Sequence, residues 1–106
     1  MSVVWVAVCQ VEEIERADVM RFDLAERTFA VYRTSDDRFF ATDGLCTHGR
    51  VHLAEGFVDG TTIECSKHNG QFDFVTGAAK CTPVKVDLGC YAVRVLDGVV
   101  HLALEE

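Results

Sequence analysis

Proline is almost missing from this chain: Pro83 stands alone among 106 residues, and no polar linker, repeat or low-complexity tract divides the sequence. Such a chain reads as continuous structure joined by tight turns, and its length suits one domain over residues 1–106 with no room for a second. A lysine or arginine cluster is also lacking. With a formal net charge of -7, the chain is ill suited to gripping phosphate backbones, so nucleic acid is not an expected partner. Long apolar runs are absent as well. The stretch Val3, Val4, Trp5, Val6, Ala7 and Val8 is short, has no basic flank and turns acidic at Glu12 and Glu13. It reads as a first strand and not as a signal peptide or membrane span, which makes a cytoplasmic setting the expectation. The five cysteines are odd in number and lack secretory context. A disulfide framework is therefore disfavoured, and metal or redox use is favoured.

What is present is a succession of strand signals. Val19 to Leu24 and Thr28 to Arg33 mix alternation with β-branched and aromatic residues, and Ser35-Asp36-Asp37 turns the chain into Arg38 to Thr42. Near the end, Cys90 to Val95 and Val99 to Leu104 flank Asp97-Gly98, a strong hairpin signal. Helix is expected only as a turn around residues 11–17. With 49% of residues apolar, one modest core can form, and the fold class expected is all-β.

Between Asp43 and Pro83 the character changes, because Gly44, Gly49, Gly56, Gly60, Gly70 and Gly77 recur there. Loops rich in glycine let backbone amides approach a buried centre closely. Two short segments in this region pair a thiol with an imidazole, Cys46-Thr47-His48-Gly49 and Cys65-Ser66-Lys67-His68-Asn69-Gly70. A lone Cys or His is more often a packed thiol or a surface imidazole than a ligand, but four at this spacing reverse that weighting. Two thiolates with two neutral imidazoles make a centre that is easier to reduce than an all-thiolate cluster. A Cys2His2 zinc site remains as the competitor, although its usual grouping of Cys with Cys and His with His is not found here.

The C-x-H and C-x-x-H pair resembles the Rieske family, particularly the small ferredoxins of bacterial aromatic-ring dioxygenase systems, and the likeness runs through Gln71-Phe72-Asp73-Phe74-Val75-Thr76-Gly77 and a third loop, Cys81-Thr82-Pro83, which in the family covers the cluster. The resemblance implies an antiparallel β-sandwich base with a small inserted cluster-binding subdomain at about residues 43–84. It further implies one 2Fe-2S cluster held by Cys46 and Cys65 on the inner iron and by His48 and His68 on the exposed one. A protein of that kind is a monomeric one-electron carrier, fed by a flavoprotein ferredoxin reductase and discharged by a terminal oxygenase, and it is not itself an enzyme. High-potential members of the family carry a bracing disulfide and two hydroxyl donors near the cluster; the matching positions here hold Val51, Lys67, Gly70 and Phe72. A low reduction potential is expected in consequence.

Several residues receive plainer expectations. Cys9 and Cys90 read as small core hydrophobes, Cys81 as packing near the site, and His101 as structural. Arg50, Val51, His52 and Lys67 are expected at the rim of the exposed tip. An oxygenase in its own right is not expected, since the chain lacks room for a catalytic domain and no 2-His-1-carboxylate set remains once His48 and His68 are assigned. Two alternatives stay open: a ferredoxin subunit of some other small-molecule oxygenase, and a zinc-stabilised binding module.

Overall fold

The computed structural model describes residues 2–67, 69–81 and 86–105. Eleven strands among them form three antiparallel sheets. β1 (Val3–Gln10), β11 (Val99–Glu105) and β10 (Val93–Leu96) make the first, in the order β1-β11-β10. The second is β2 (Asp18–Leu24), β3 (Arg27–Arg33), β4 (Phe39–Asp43) and β9 (Cys90–Tyr91), in sequence order. Four short strands, β5 (Phe57–Asp59), β6 (Thr62–Glu64), β7 (Gln71–Asp73) and β8 (Ala79–Cys81), form the third. The all-β expectation holds. The helical turn expected near residues 11–17 is a single 3-10 turn, Val11–Glu13, and a second, Leu53–Glu55, follows the first ligand segment.

β3 explains the layering. In most half-buried strands only alternate residues face a core, yet Phe29, Ala30, Val31 and Tyr32 are all fully buried. Successive side chains of a strand point to opposite faces, so this strand must separate two cores. Phe29 and Val31 join Ile14, Ala41, Val100, Leu102 and Leu104 between the first two sheets. Ala30 and Tyr32 face the other way, into a cluster with Leu53, Ile63, Phe72, Phe74 and Leu88. Cys46 and Cys65 belong to this second cluster. Tyr32 stacks on Phe74 with ring centroids 4.2 Å apart and planes 2° from parallel. Its hydroxyl donates to Thr42 Oγ1 at 2.8 Å, because the Thr42 hydroxyl itself donates to the Asp43 carbonyl at 2.9 Å.

Candidate metal centre

The first of the two Cys-His segments, Cys46-Thr47-His48-Gly49, follows the end of β4 and folds back on itself. Cys46 N–H donates to the Val51 carbonyl at 2.9 Å, Leu53 N–H to the Gly44 carbonyl at 2.7 Å, and Leu45 pairs with His52 in an isolated antiparallel bridge. These bonds make a stem, 44–46 against 51–53, with His48 at its far end. The second segment is the β6–β7 turn. Cys65 N–H donates to the Gly70 carbonyl at 2.8 Å and Asn69 N–H to the Cys65 carbonyl at 3.1 Å. Asn69 adopts φ 57°, a conformation that asparagine tolerates better than most residues.

The two segments bring their cysteines together. Cys46 is 4% exposed and Cys65 fully buried, and their thiols are in hydrogen-bond contact. Burial pushes the Cys46 thiol up from its ordinary range, while the backbone N–H groups of His48 and Gly49, bonded to its sulfur, act in the opposite direction. Amides aimed at a sulfur stabilise negative charge there. His48 is exposed, as are Arg50 and Lys67. Beside the first segment a cavity of about 540 Å³ opens, walled by Glu26, Arg27, Thr28 and Asp43 opposite residues 44–50.

A cluster with two thiolate ligands needs paired sulfurs, shielded from water and free of a disulfide, with amide donors nearby. Cys46 and Cys65 fit that requirement: both are free cysteines, buried and adjacent. His68 lies outside the described residues, and so do Thr82, Pro83 and the Cys81 side chain of the expected covering loop. Among the described residues no three His, Cys, Asp or Glu side chains converge as a metal-binding group. The chain that follows the expected covering loop is tied to the site, since Thr47 Oγ1 donates to the Val86 carbonyl at 2.6 Å and Leu88 N–H to the Gly77 carbonyl at 2.8 Å. Gly77 has φ 83°, and a Cβ there would come within 2.2 Å of the Leu88 oxygen.

Three expectations need correction. His52 is not a rim residue: it is 3% exposed, because its ring is drawn under the stem by hydrogen bonds on both nitrogens. Val51 turns inward and packs on the core that holds the cysteines. Cys90 is exposed at the outer strand β9, not packed as a small hydrophobe. Cys9 does pack on the core between the first two sheets, and burial together with Glu13 and Glu12 pushes its thiol up to about 11. His101 is partly buried in β11, with its Nδ1 buried and without a partner among the described residues. Sequence reasoning missed Thr28 and Asp23, which bond in series to His52, because nothing in a strand pattern links Thr28 to a residue twenty-four positions later.

The Rieske [2Fe-2S] domain model matches residues 4–92. The ferredoxin component of the naphthalene 1,2-dioxygenase/salicylate 5-hydroxylase systems of a Ralstonia species is 36% identical over 101 residues, covering 95% of this chain and 96% of its own. Ferredoxin CarAc of Metapseudomonas resinovorans is 37% identical over 107 residues, covering 100% of this chain and 99% of its own. A chain in the solved complex of reduced oxygenase and oxidised ferredoxin in carbazole 1,9a-dioxygenase superposes with a TM-score of 0.89. Its identity is 38%, over 94% of this chain and 93% of that one.

Proposed function

The chain belongs to the Rieske [2Fe-2S] domain family, and from that membership we propose that it is a one-electron carrier delivering electrons to a terminal oxygenase that hydroxylates aromatic rings. The observation that carries the reading is the pair of buried, adjacent thiols, Cys46 and Cys65, beneath an exposed His48. Two ferredoxin relatives match over nearly the whole chain and nearly their own full length, which supports a carrier role. No bond of a substrate changes on this protein.

Cys46 and Cys65 are the thiolate ligands in this reading, and His48 and His68 the imidazole ligands. Family membership brings one 2Fe-2S cluster, which supplies a one-electron couple whose potential in Rieske centres lies between about -150 and +300 mV. The protein's own residues place that couple. The buried core around Cys46 and Cys65 excludes water from the thiolates, and the amides of His48 and Gly49 stabilise charge on the Cys46 sulfur. Gly70 and Phe72 supply no hydroxyl donor, so the centre belongs at the low end of the range. Such a potential suits a flavoprotein reductase as electron source; the working form in this reading is a cytoplasmic monomer. No helix among the described residues is long and apolar enough to cross a membrane.

Visible absorption of the purified protein, followed by electron paramagnetic resonance after dithionite reduction, tests the reading. The expected result is a coloured protein with a rhombic signal on reduction. A colourless, diamagnetic protein holding zinc would replace the carrier with a metal-stabilised binding module.

A further inference from the structure

Beneath the first ligand loop runs a polar chain for which the carrier reading has no use. Ala54 N–H donates to His52 Nδ1 at 3.0 Å. A neutral ring that accepts at Nδ1 carries its proton on Nε2, and that N–H points at Thr28 Oγ1, 2.8 Å away. The Thr28 hydroxyl then donates to Asp23 at 2.5 Å, and Asp23 pairs with Arg21 at the surface at 3.1 Å. The donors therefore run in one direction from the loop to Asp23, whose carboxylate also accepts from the Arg21 guanidinium. Burial, with the Arg21 charge, holds His52 below its ordinary range, in keeping with a neutral imidazole.

Thr28 grips the stem twice. Its carbonyl accepts the Gly44 N–H at 3.0 Å while its hydroxyl accepts from His52, which pairs with Leu45 across the stem. Gly44 is part of the same fit, since a Cβ there would fall 2.5 Å from His52 Nε2. An apolar side chain would fill the space under the stem at no desolvation penalty, whereas burying an imidazole costs free energy unless its polar atoms are satisfied. Here both nitrogens are satisfied, one by the loop and one by strand β3.

We infer that Thr28 and His52 are positioning residues, which fix the stem that carries His48 against the β-sandwich base and thereby set the electronic environment of the His48 end of the site. The inference rests on the ligand assignment made under the proposed function. Side chains that orient a ligand, without touching the metal, tune its potential and geometry. Thr28→Val keeps the shape of the side chain and deletes the hydroxyl; Thr28→Ser keeps the hydroxyl.

The test compares both variants with the wild-type holoprotein by hydrogen exchange, by the g-values of the reduced state and by midpoint potential. Thr28→Val is expected to speed exchange of amides in residues 44–53 but not in residues 57–73, and to shift both g-values and potential. Thr28→Ser restores all three toward wild type. If Thr28→Val does not fold, Asp23→Ala, which strips the hydroxyl of its acceptor at an exposed position, is expected to move the same readouts in the same direction by less. A folded Thr28→Val, or failing that Asp23→Ala, with wild-type exchange, g-values and potential would overturn the inference and leave the carrier function intact. Absence of the paramagnetic signal from the wild type would instead overturn the carrier reading itself.

Discussion

Phe72 lies fully buried in β7, one residue past the turn that carries Cys65, and offers no polar atom to the site. In the high-potential relatives the matching side chain is a hydroxyl donor, and a donor favours the more negative, reduced state. Phe72→Tyr is therefore expected to raise the midpoint potential, and a differential of about 1.4 kcal/mol between redox states corresponds to about 59 mV for one electron. A potentiometric titration of the variant beside the wild type checks this; a lowered or unchanged value counts against the donor argument. At this scale the meeting of Cys46 and Cys65 in one buried place was legible, because the two Cys-His segments pair the same residue types at short spacing. His52 was not. Its burial depends on Thr28 and Asp23, which strand pairing alone brings beneath the loop, and no local pattern signals that meeting.

Strands were legible to the degree that their signals exceed a few residues. Asp97-Gly98 marks a hairpin, and both residues take positive φ, 53° and 76°, between β10 and β11. Asp59-Gly60 repeats the dipeptide, but there Asp59 still pairs with Thr62 and the turn between β5 and β6 is Gly60-Thr61; those strands are three residues each, too short for alternation to register. β3 was recognised as a strand without its distinguishing property, burial on both faces. That property divides the core into two compartments with separate consequences. Leu102→Ala, in the compartment between the first two sheets, and Ile63→Ala, in the compartment with Cys46 and Cys65, are each expected to cost about 2–5 kcal/mol in denaturant unfolding. Only Ile63→Ala is expected to alter the visible spectrum, because only it opens space in the cluster of side chains around the thiols. Equal spectral change in both variants would contradict the division.

Across the whole molecule, the pairing of β1 with β11 joins residues from opposite ends of the chain, Val3 with Glu105 through Gln10 with Val99. Nothing in either segment announces the other, so sheet order was beyond the reach of sequence periodicity. Charge was more legible. The net value of -7 is unevenly used: Arg16, Arg33 and Arg38 pair with Asp37 and Asp36 around the β3–β4 turn, whereas Arg50 and Lys67 are exposed within the two ligand loops. Charges at a docking tip act mainly on encounter rate and are screened by salt. Reversal of both, Arg50→Glu with Lys67→Glu, is expected to slow electron transfer to an oxygenase partner by on the order of tenfold or more at low ionic strength. The effect should shrink as salt is added; identical rates and salt dependence would remove both residues from the contact surface.

Nitrogen hyperfine coupling in the reduced protein tests the ligand set most directly. Two imidazole ligands, His48 and His68, predict two strongly coupled nitrogens on a rhombic signal, with one lost in His48→Cys and one in His68→Cys, and a midpoint potential toward the low end of the Rieske range of about -150 to +300 mV. A paramagnetic centre without coupled nitrogen, or one unchanged by either substitution, would contradict the assignment.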